Sequence, residues 1–151
     1  MSNRRQSRER VLEALYAKEL SDNDAAEILS GLIHAKLDSL EECRFAEKAF
    51  LSTVKNRQYY DELIEGQLKN YDIHRLALVD KIILRMALNE FLEFEDIPVK
   101  VTINEAIDLA KKYSTAKSGY FVNGILDAVS KELEQNKKIL KKGRGLLERT
   151  V

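Results

Sequence analysis

The stretch HRLALVDKIILRMALNEFLEF, residues 74–94, decides the fold class of this chain. Its apolar residues recur at helical spacing and form a stripe wide enough for the centre of a helical bundle. That stripe consists of Val79, Ile82, Ile83, Met86, Ala87, Phe91 and Phe94. The sequence therefore predicts that residues 74–94 form the longest helix and the core of the protein.

Shorter apolar stripes precede this central helix and indicate further helices. The first stripe starts at Val11 and ends near Leu20, and Asp24 has the residue type and position to cap a second helix. Residues 38–44 are mostly polar and are predicted to be a connection. The stripes predict helices over residues 11–20, 24–33, 45–54 and 60–68.

The sequence after the central helix predicts two more helices. Pro98 cannot continue a helix, so we expect a loop over residues 95–100. Thr102 and Glu105 have the spacing of a capping box, which predicts that the next helix starts there. The Ser/Thr/Gly-rich segment 114–119 is predicted to be a loop before the last helix.

Composition favours an all-α fold. The 151 residues include one Pro and six Gly, too few for an architecture of many strands and turns. We expect a single compact domain of about seven helices over residues 1–136, followed by a basic tail, 137–151, that is partly helical at most. Gly124 inside the last helix costs roughly 1 kcal/mol relative to Ala, which favours a close backbone approach by a neighbouring helix.

The same composition argues against several functional classes. One cysteine and two histidines cannot form a Cys/His zinc site or a disulfide framework. The phosphate-binding glycine loops, the hydrolase nucleophile elbow and the zincin motif are absent from the sequence, so we expect no enzymatic activity. We expect neither a signal peptide nor a membrane-spanning segment, and a cytoplasmic location.

Charge is segregated along the chain although the net charge is zero. Residues 1–10 carry a net charge of three positive, whereas residues 19–48 carry a net charge of five negative. Arg4, Arg5 and Arg8 lie at the predicted start of the first helix, where cations oppose the helix dipole. An external anion would explain why this unfavourable cluster is present. Because guanidinium groups bind phosphate and stack on exposed bases, the cluster favours single-stranded RNA over a duplex. Ordinary solvated helix faces are the alternative interpretation.

Four segments resemble the NusB family of transcription antitermination factors. They are RRQSRERVLEALY (4–16), LRMALNE (84–90), DIPVKVTINEAIDLAKKYS (96–114) and YFVNGIL (120–126). The resemblance implies two packed helical subdomains and no catalytic activity or cofactor. It also implies binding of boxA RNA together with NusE, a ribosomal small-subunit protein, in the complex that modifies RNA polymerase during ribosomal RNA transcription.

The resemblance also assigns site residues. It places RNA at Arg4, Arg5 and Arg8, completed by Lys117, Tyr120 and Phe121. Lys111 and Lys112 are expected to add phosphate contacts. For Phe121, packing in the core and contact with RNA are both open. The resemblance places Tyr16 and Glu90 on the NusE side; burial of Tyr16 beside Leu12 and Leu20 is the alternative.

Two other functions remain as hypotheses. One is a helical scaffold that binds only proteins, or a homodimer that covers its basic face. The other is a stand-alone relative of the NusB-like domain of ribosomal RNA cytosine methyltransferases. Those enzymes need a nucleotide-binding catalytic domain and a reactive cysteine motif, neither of which the sequence contains.

Overall fold

Seven α-helices contain most of residues 4–69 and 72–149, which are the residues that the computed structural model describes, and these residues form no β-strand. The helices are α1 Arg4–Leu20, α2 Ala25–Ile28, α3 Leu40–Lys55, α4 Arg57–Glu65, α5 Leu78–Glu93, α6 Val99–Tyr113 and α7 Ala116–Gln135. A π-helical turn, Leu29–His34, continues α2, and 3-10 turns occur at Ile73–Arg75 and Gly143–Arg149. The all-α prediction is confirmed. No helix within the described ranges is long and apolar enough to span a bilayer.

The chain divides into two compact units, which correspond to the two subdomains that the resemblance implies. Unit 1 is Met1–Lys55 and unit 2 is Asn56–Val151. In unit 1, α1 packs against α3 and against the π-helical turn. As predicted, Asp24 caps α2, and its carboxylate accepts a hydrogen bond from the amide of Ala26 at 3.3 Å.

In unit 2, α5 packs against α4, α6 and α7, and eleven of its 16 residues are buried. Two buried polar side chains of α5, Asn89 and Arg85, are paired with α4, since buried polar groups are usually hydrogen-bonded. Tyr60 on α4 donates a hydrogen bond to Asn89 Oδ1 at 2.7 Å. Arg85 donates two hydrogen bonds, at 2.7 and 3.0 Å, to the carboxylate of Asp61. These contacts fix α4 against the central helix.

Three predicted helix starts are wrong. The predicted connection 38–44 is mostly helix, because Ser39 Oγ accepts the amide of Glu42 at the start of α3 and the acidic first turn suits the helix dipole. The central helix starts at Leu78, so α7 with 20 residues is longer than α5 with 16. Residues 116–119 of the predicted loop 114–119 are helical, since Thr115 Oγ1 caps α7 by accepting the amide of Ser118 at 3.0 Å.

The predicted capping box of α6 is also wrong. The helix starts at Val99, directly after Pro98, so Thr102 lies inside the first turns. Its hydroxyl is buried and donates a hydrogen bond to Glu90 Oε1 on α5 at 2.8 Å. Thr102 therefore joins two helices instead of starting one.

The predicted close approach at Gly124 is wrong, and Gly119 has that role. Nothing lies within 4 Å of the position that a Cβ of Gly124 would take. A Cβ on Gly119 would lie 3.1 Å from the side chain of Lys111, where α6 and α7 cross. The small residue is needed one turn after the start of α7.

The segment predicted to be a tail packs within unit 2. Ile139 and Lys141 are buried, and Lys141 Nζ donates hydrogen bonds to the carbonyl oxygens of Glu90 at 2.9 Å and Phe94 at 2.6 Å. These carbonyls lie at the end of α5 and also accept the backbone amides of Phe94 and Ile97, both at 3.2 Å, so the lysine adds a charged donor to each of them. Lys141 therefore caps the central helix. Thr150 and Val151, at the end of the predicted tail, lie outside the described residues.

We predict that Lys141→Met lowers the free energy of unfolding by about 1–3 kcal/mol, because buried carbonyls lose a charged donor. The matched control is Lys142→Met, which removes an exposed ion pair with Glu95 at 3.8 Å and costs about 0–1 kcal/mol. Urea unfolding followed by circular dichroism measures both variants. Equal effects of the two substitutions would contradict the capping role.

Candidate nucleic-acid interface

The arginine cluster at the start of α1 is held by a carboxylate on α3. Arg4 donates from Nε to Glu42 Oε1 at 2.9 Å and from Nη2 to Glu42 Oε2 at 3.3 Å. Ser7 Oγ donates to the same Oε1 at 2.7 Å. This bidentate pairing uses one edge of the guanidinium and fixes the side chain in one orientation.

An aromatic ring holds two of the arginines from the other side. The guanidinium of Arg4 lies 4.0 Å from the centroid of the Phe45 ring, and that of Arg8 lies 5.6 Å from it. Both distances allow cation–π attraction. Arg8 is only 4% exposed, whereas Arg5 is exposed. Of the three predicted RNA-binding arginines, Arg5 therefore presents the most accessible charge.

The sequence predicts an external anion beside these arginines, but it does not reveal that the carboxylate of Glu42 is an internal partner of Arg4. Glu42 lies 38 residues from Arg4 in the chain, in a segment predicted to be a connection. Only the packing of α1 on α3 brings the two together. The sequence signal that could have indicated this pairing is the pair of acidic residues, Glu41 and Glu42, in the first turn of α3.

Arginine contacts change the ionisation of Glu42. Burial raises the pKa of this carboxyl, but hydrogen bonds from Arg4 and Ser7 and the charges of Arg4 and Arg8 outweigh burial, so its pKa lies below the ordinary value of 4.5. The ionised carboxylate is therefore part of the folded arrangement at neutral pH.

The predicted basic turn in unit 2 is exposed. Lys111 and Lys112 lie in the last turn of α6 and Lys117 in the first turn of α7. Tyr120 is 79% exposed on α7, so its ring is available as a stacking platform. These four side chains have the accessibility that the sequence analysis expected of phosphate and base contacts.

Phe121 is half-buried and lines a cleft of about 320 Å³ in unit 2. Its ring is thus neither in the closed core nor fully on the surface. The residues that line the cleft are Arg75, Leu76, Ala77, Asp80, Thr115, Lys117, Ser118 and Phe121. The sequence analysis missed Arg75 and Asp80, because the fold alone brings the starts of α5 and α7 together.

The two residues assigned to the partner differ in accessibility. Tyr16 is 39% exposed and Leu20 is exposed, so the alternative that buries Tyr16 beside Leu20 is wrong. Glu90 is 4% exposed, and its carboxylate accepts the hydrogen bond from Thr102. In this structure Glu90 supports the packing of α6 on α5, and its role in partner binding stays a prediction.

Each unit holds one half of the predicted RNA site. Arg4, Arg5 and Arg8 belong to unit 1, and the residues from Lys111 to Phe121 belong to unit 2. That the two halves form one continuous surface stays a prediction. In the described parts of the chain, no group of three His, Cys, Asp or Glu side chains is arranged to hold a metal ion.

A family model and an individual relative both point to the same family. The NusB family model matches residues 5–131. The transcription antitermination protein NusB of Salinibacter ruber is 46% identical over 148 residues, which cover 97% of this chain and 92% of that protein.

Solved structures agree with this match. A crystal form of T. maritima NusB has 38% identity and a TM-score of 0.78, and the match covers 87% of this chain and 92% of that one. A crystal structure of the antitermination factors NusB and NusE in complex with dsRNA contains a chain with 27% identity and a TM-score of 0.78, and the match covers 85% of this chain and 96% of that one.

We predict a pH-dependent effect of Glu42→Gln on stability. Because the folded-state pKa of Glu42 is lowered, its ionised form stabilises the fold above about pH 4.5, and this contribution is lost as the pH falls through the lower, folded-state pKa. At pH 7 the variant should lose roughly 1–2 kcal/mol of unfolding free energy. The difference from the wild-type chain should vanish in urea unfolding at acidic pH.

The matched control is Glu41→Gln, which removes an exposed carboxylate 3.8 Å from Arg4. This control should unfold like the wild-type chain at every pH. A deficit of Glu42→Gln that stays constant down to pH 3 would show that the substitution acts through packing.

Proposed function

The chain belongs to the NusB family, and we propose that it is a transcription antitermination factor that binds boxA RNA of ribosomal RNA operons together with NusE. The family match over residues 5–131 carries this proposal. In the complex that modifies RNA polymerase, the protein acts as a non-enzymatic adaptor without a cofactor. We place this activity in the cytoplasm.

Phosphate contacts supply the sequence-independent part of RNA binding in this proposal. Arg5, Lys111, Lys112 and Lys117 are exposed cations and approach the RNA backbone directly. Arg4 contributes differently, because Glu42 occupies its Nε edge and leaves Nη1 for a phosphate. Because Arg4 is already held in one orientation, RNA binding loses less side-chain entropy.

Stacking supports recognition of an unpaired strand. The exposed ring of Tyr120 can stack on a base, a contact worth about 1–3 kcal/mol. A base within a duplex has no free face for such a platform. We therefore propose single-stranded boxA as the ligand, although the neighbour described above was crystallised with dsRNA.

The partner surface in this proposal includes Tyr16, whose exposed ring lies on α1. Tyrosine is enriched at protein interfaces because it combines an apolar ring with a polar hydroxyl. Glu90, which holds α6 on α5 within unit 2, is the other residue that we propose for partner binding.

A gel shift with boxA RNA, with and without NusE, tests the proposed function. Single-stranded boxA should bind, and NusE should strengthen the complex. A scrambled single strand of equal length and a boxA duplex are the controls. Equal binding of all three RNAs would contradict boxA recognition. If no RNA binds even with NusE present, the alternative function, a scaffold that binds only proteins, is favoured.

We predict that the affinity for single-stranded RNA falls with salt. If about five phosphates are contacted, log affinity against log salt should have a slope near −3 to −4. Arg5→Ala and Lys117→Ala should each reduce the magnitude of the slope by about 0.7. Lys131→Ala is the matched control, because this exposed lysine pairs with Asp127 on the same helix at 3.0 Å.

The single substitution Arg5→Ala is preferable to removal of all three arginines. Arg4 and Arg8 pack on Phe45, so their loss would disturb the contact between α1 and α3 as well as RNA binding. An unchanged slope for both Arg5→Ala and Lys117→Ala would place the RNA elsewhere.

A further inference from the structure

The chain continues past the family match with a strongly basic segment. The family model ends at residue 131, and residues 137–144 read KKILKKGR, with five bases and no acid. This C-terminal basic segment, residues 137–144, has one buried base, Lys141, which caps α5. The other four bases are exposed, and they are Lys137, Lys138, Lys142 and Arg144. The segment therefore presents positive charge on a part of the chain to which the family match assigns no role.

Contacts with the end of α5 hold the C-terminal basic segment in place. Lys141 donates to the carbonyl oxygens of Glu90 and Phe94. The backbone amide of Lys142 donates to the carbonyl oxygen of Glu95 at 3.0 Å. The exposed cations therefore extend from a backbone that is already fixed, and an anion that binds them orders less chain than it would in a free tail.

The exposed cations of this segment have little compensation within the protein. Lys142 Nζ lies 3.8 Å from Glu95 Oε2, but both side chains are mostly exposed, so solvent screens their attraction. Among the side chains that the structure describes, no carboxylate lies within ion-pair distance of Lys137, Lys138 or Arg144. Their charge is therefore available to an external anion.

The C-terminal basic segment lies far from the basic turn between α6 and α7. Lys117 is the second residue of α7 and Lys137 follows the last residue by two, so about 30 Å of helix separates them. Exposed acids lie on α7 between the two lysines, and they are Asp127, Glu132 and Glu134. The segment is therefore a separate basic surface and does not continue the predicted boxA site.

The charge of the segment favours RNA over a protein partner. Interfaces with nucleic acids are much more positively charged than interfaces between proteins, in which lysine is depleted. Leu140 and Leu146 are exposed and would suit a protein, but the four exposed cations outnumber them. An RNA strand that is already bound elsewhere on the chain would also reach the segment at a high effective concentration.

We propose that the C-terminal basic segment binds the backbone of the RNA that flanks boxA. Its lysines contact phosphates as point charges, so these contacts are independent of base sequence. The arginines of α1 and the basic turn hold boxA, while this segment holds the strand beyond it. The inference rests on the proposed function, because boxA binding is what brings the flanking RNA to the segment.

The length of the RNA tests the inference on the unmodified chain. The RNAs are boxA alone and boxA extended by about ten uridines at its 5′ or its 3′ end. About ten nucleotides span about 34 Å even at the stacked spacing of about 3.4 Å, which is enough to reach the segment. One extended strand should bind more tightly than boxA alone. If neither does, the inference is overturned while the proposed function stands.

Salt dependence measures how many phosphates the extension contributes. With three further phosphate contacts, log affinity against log salt should be steeper by about 2 for the extended strand than for boxA alone. The gain in affinity should then shrink roughly 20-fold between about 50 and 200 mM salt. A gain that does not change with salt would contradict phosphate contacts and overturn the inference.

A triple variant assigns the gain to the C-terminal basic segment. It combines Lys137→Gln, Lys138→Gln and Arg144→Gln. This variant should lose the gain from extension and keep the affinity for boxA alone. The matched control removes three exposed lysines outside the segment by Lys36→Gln, Lys55→Gln and Lys69→Gln. The control should keep the gain.

Circular dichroism checks that both triple variants fold. If the segment variant does not fold, the single change Arg144→Gln replaces it. This single change should reduce the difference in salt slope between the extended strand and boxA alone from about 2 to about 1.4. An unchanged difference would overturn the inference.

The remaining outcomes separate the hypotheses. A gain that persists in the folded segment variant would overturn the inference, and so would an equal loss in the control, which would show an effect of overall charge. Loss of NusE binding in the segment variant, with the gain unchanged, would identify a protein-binding surface and would also overturn it. Failure of the wild-type chain to bind any of the RNAs would instead refute the proposed function.

Discussion

The burial of α5 on nearly all sides is the constraint on which unit 2 depends. A buried helix supplies apolar area for its neighbours, but each of its polar groups then needs a partner in the protein. Asn89 has Tyr60, Arg85 has Asp61, and the last carbonyls have Lys141. These pairings set where α4 and the C-terminal segment lie. At the other end of the helix Asp80 is only half satisfied, and that end forms the wall of the cleft.

Unit 1 depends on a different constraint. Positive charge gathers at the start of α1, where the helix dipole opposes it. Glu42 and Phe45 both lie on α3. The carboxylate of Glu42 compensates for the charge of Arg4, and the ring of Phe45 stacks against its guanidinium. Arg5, which follows Arg4 in the chain, is exposed. The same contacts that stabilise α1 on α3 also orient a guanidinium before any anion arrives. Structural and binding roles thus share the same side chains.

Local patterns predicted the helices well and their starts poorly. Apolar periodicity located the seven α-helices of the described residues, since each buries apolar side chains at helical spacing, but caps depend on short-range hydrogen bonds that several residues can provide. Thr102 and Glu105 have capping-box spacing, yet Pro98 precedes them and starts the helix earlier. For the site, basic and aromatic residues could be identified from the sequence. Glu42, Arg75 and Asp80 could not, because their significance arises only from contacts between helices distant in the chain.

The cap on the central helix has a consequence for biosynthesis. Lys141 lies 51 residues after Glu90, whose carbonyl it binds, so the end of α5 is translated long before its cap. Until the ribosome has released that lysine, those carbonyls have only the backbone amides of Phe94 and Ile97 as protein donors, and the end of α5 is less firmly held. Unit 1 ends at Lys55 and is translated before α5. Folding of the nascent chain therefore proceeds from its amino-terminal unit, and the carboxyl-terminal segment closes the second unit last.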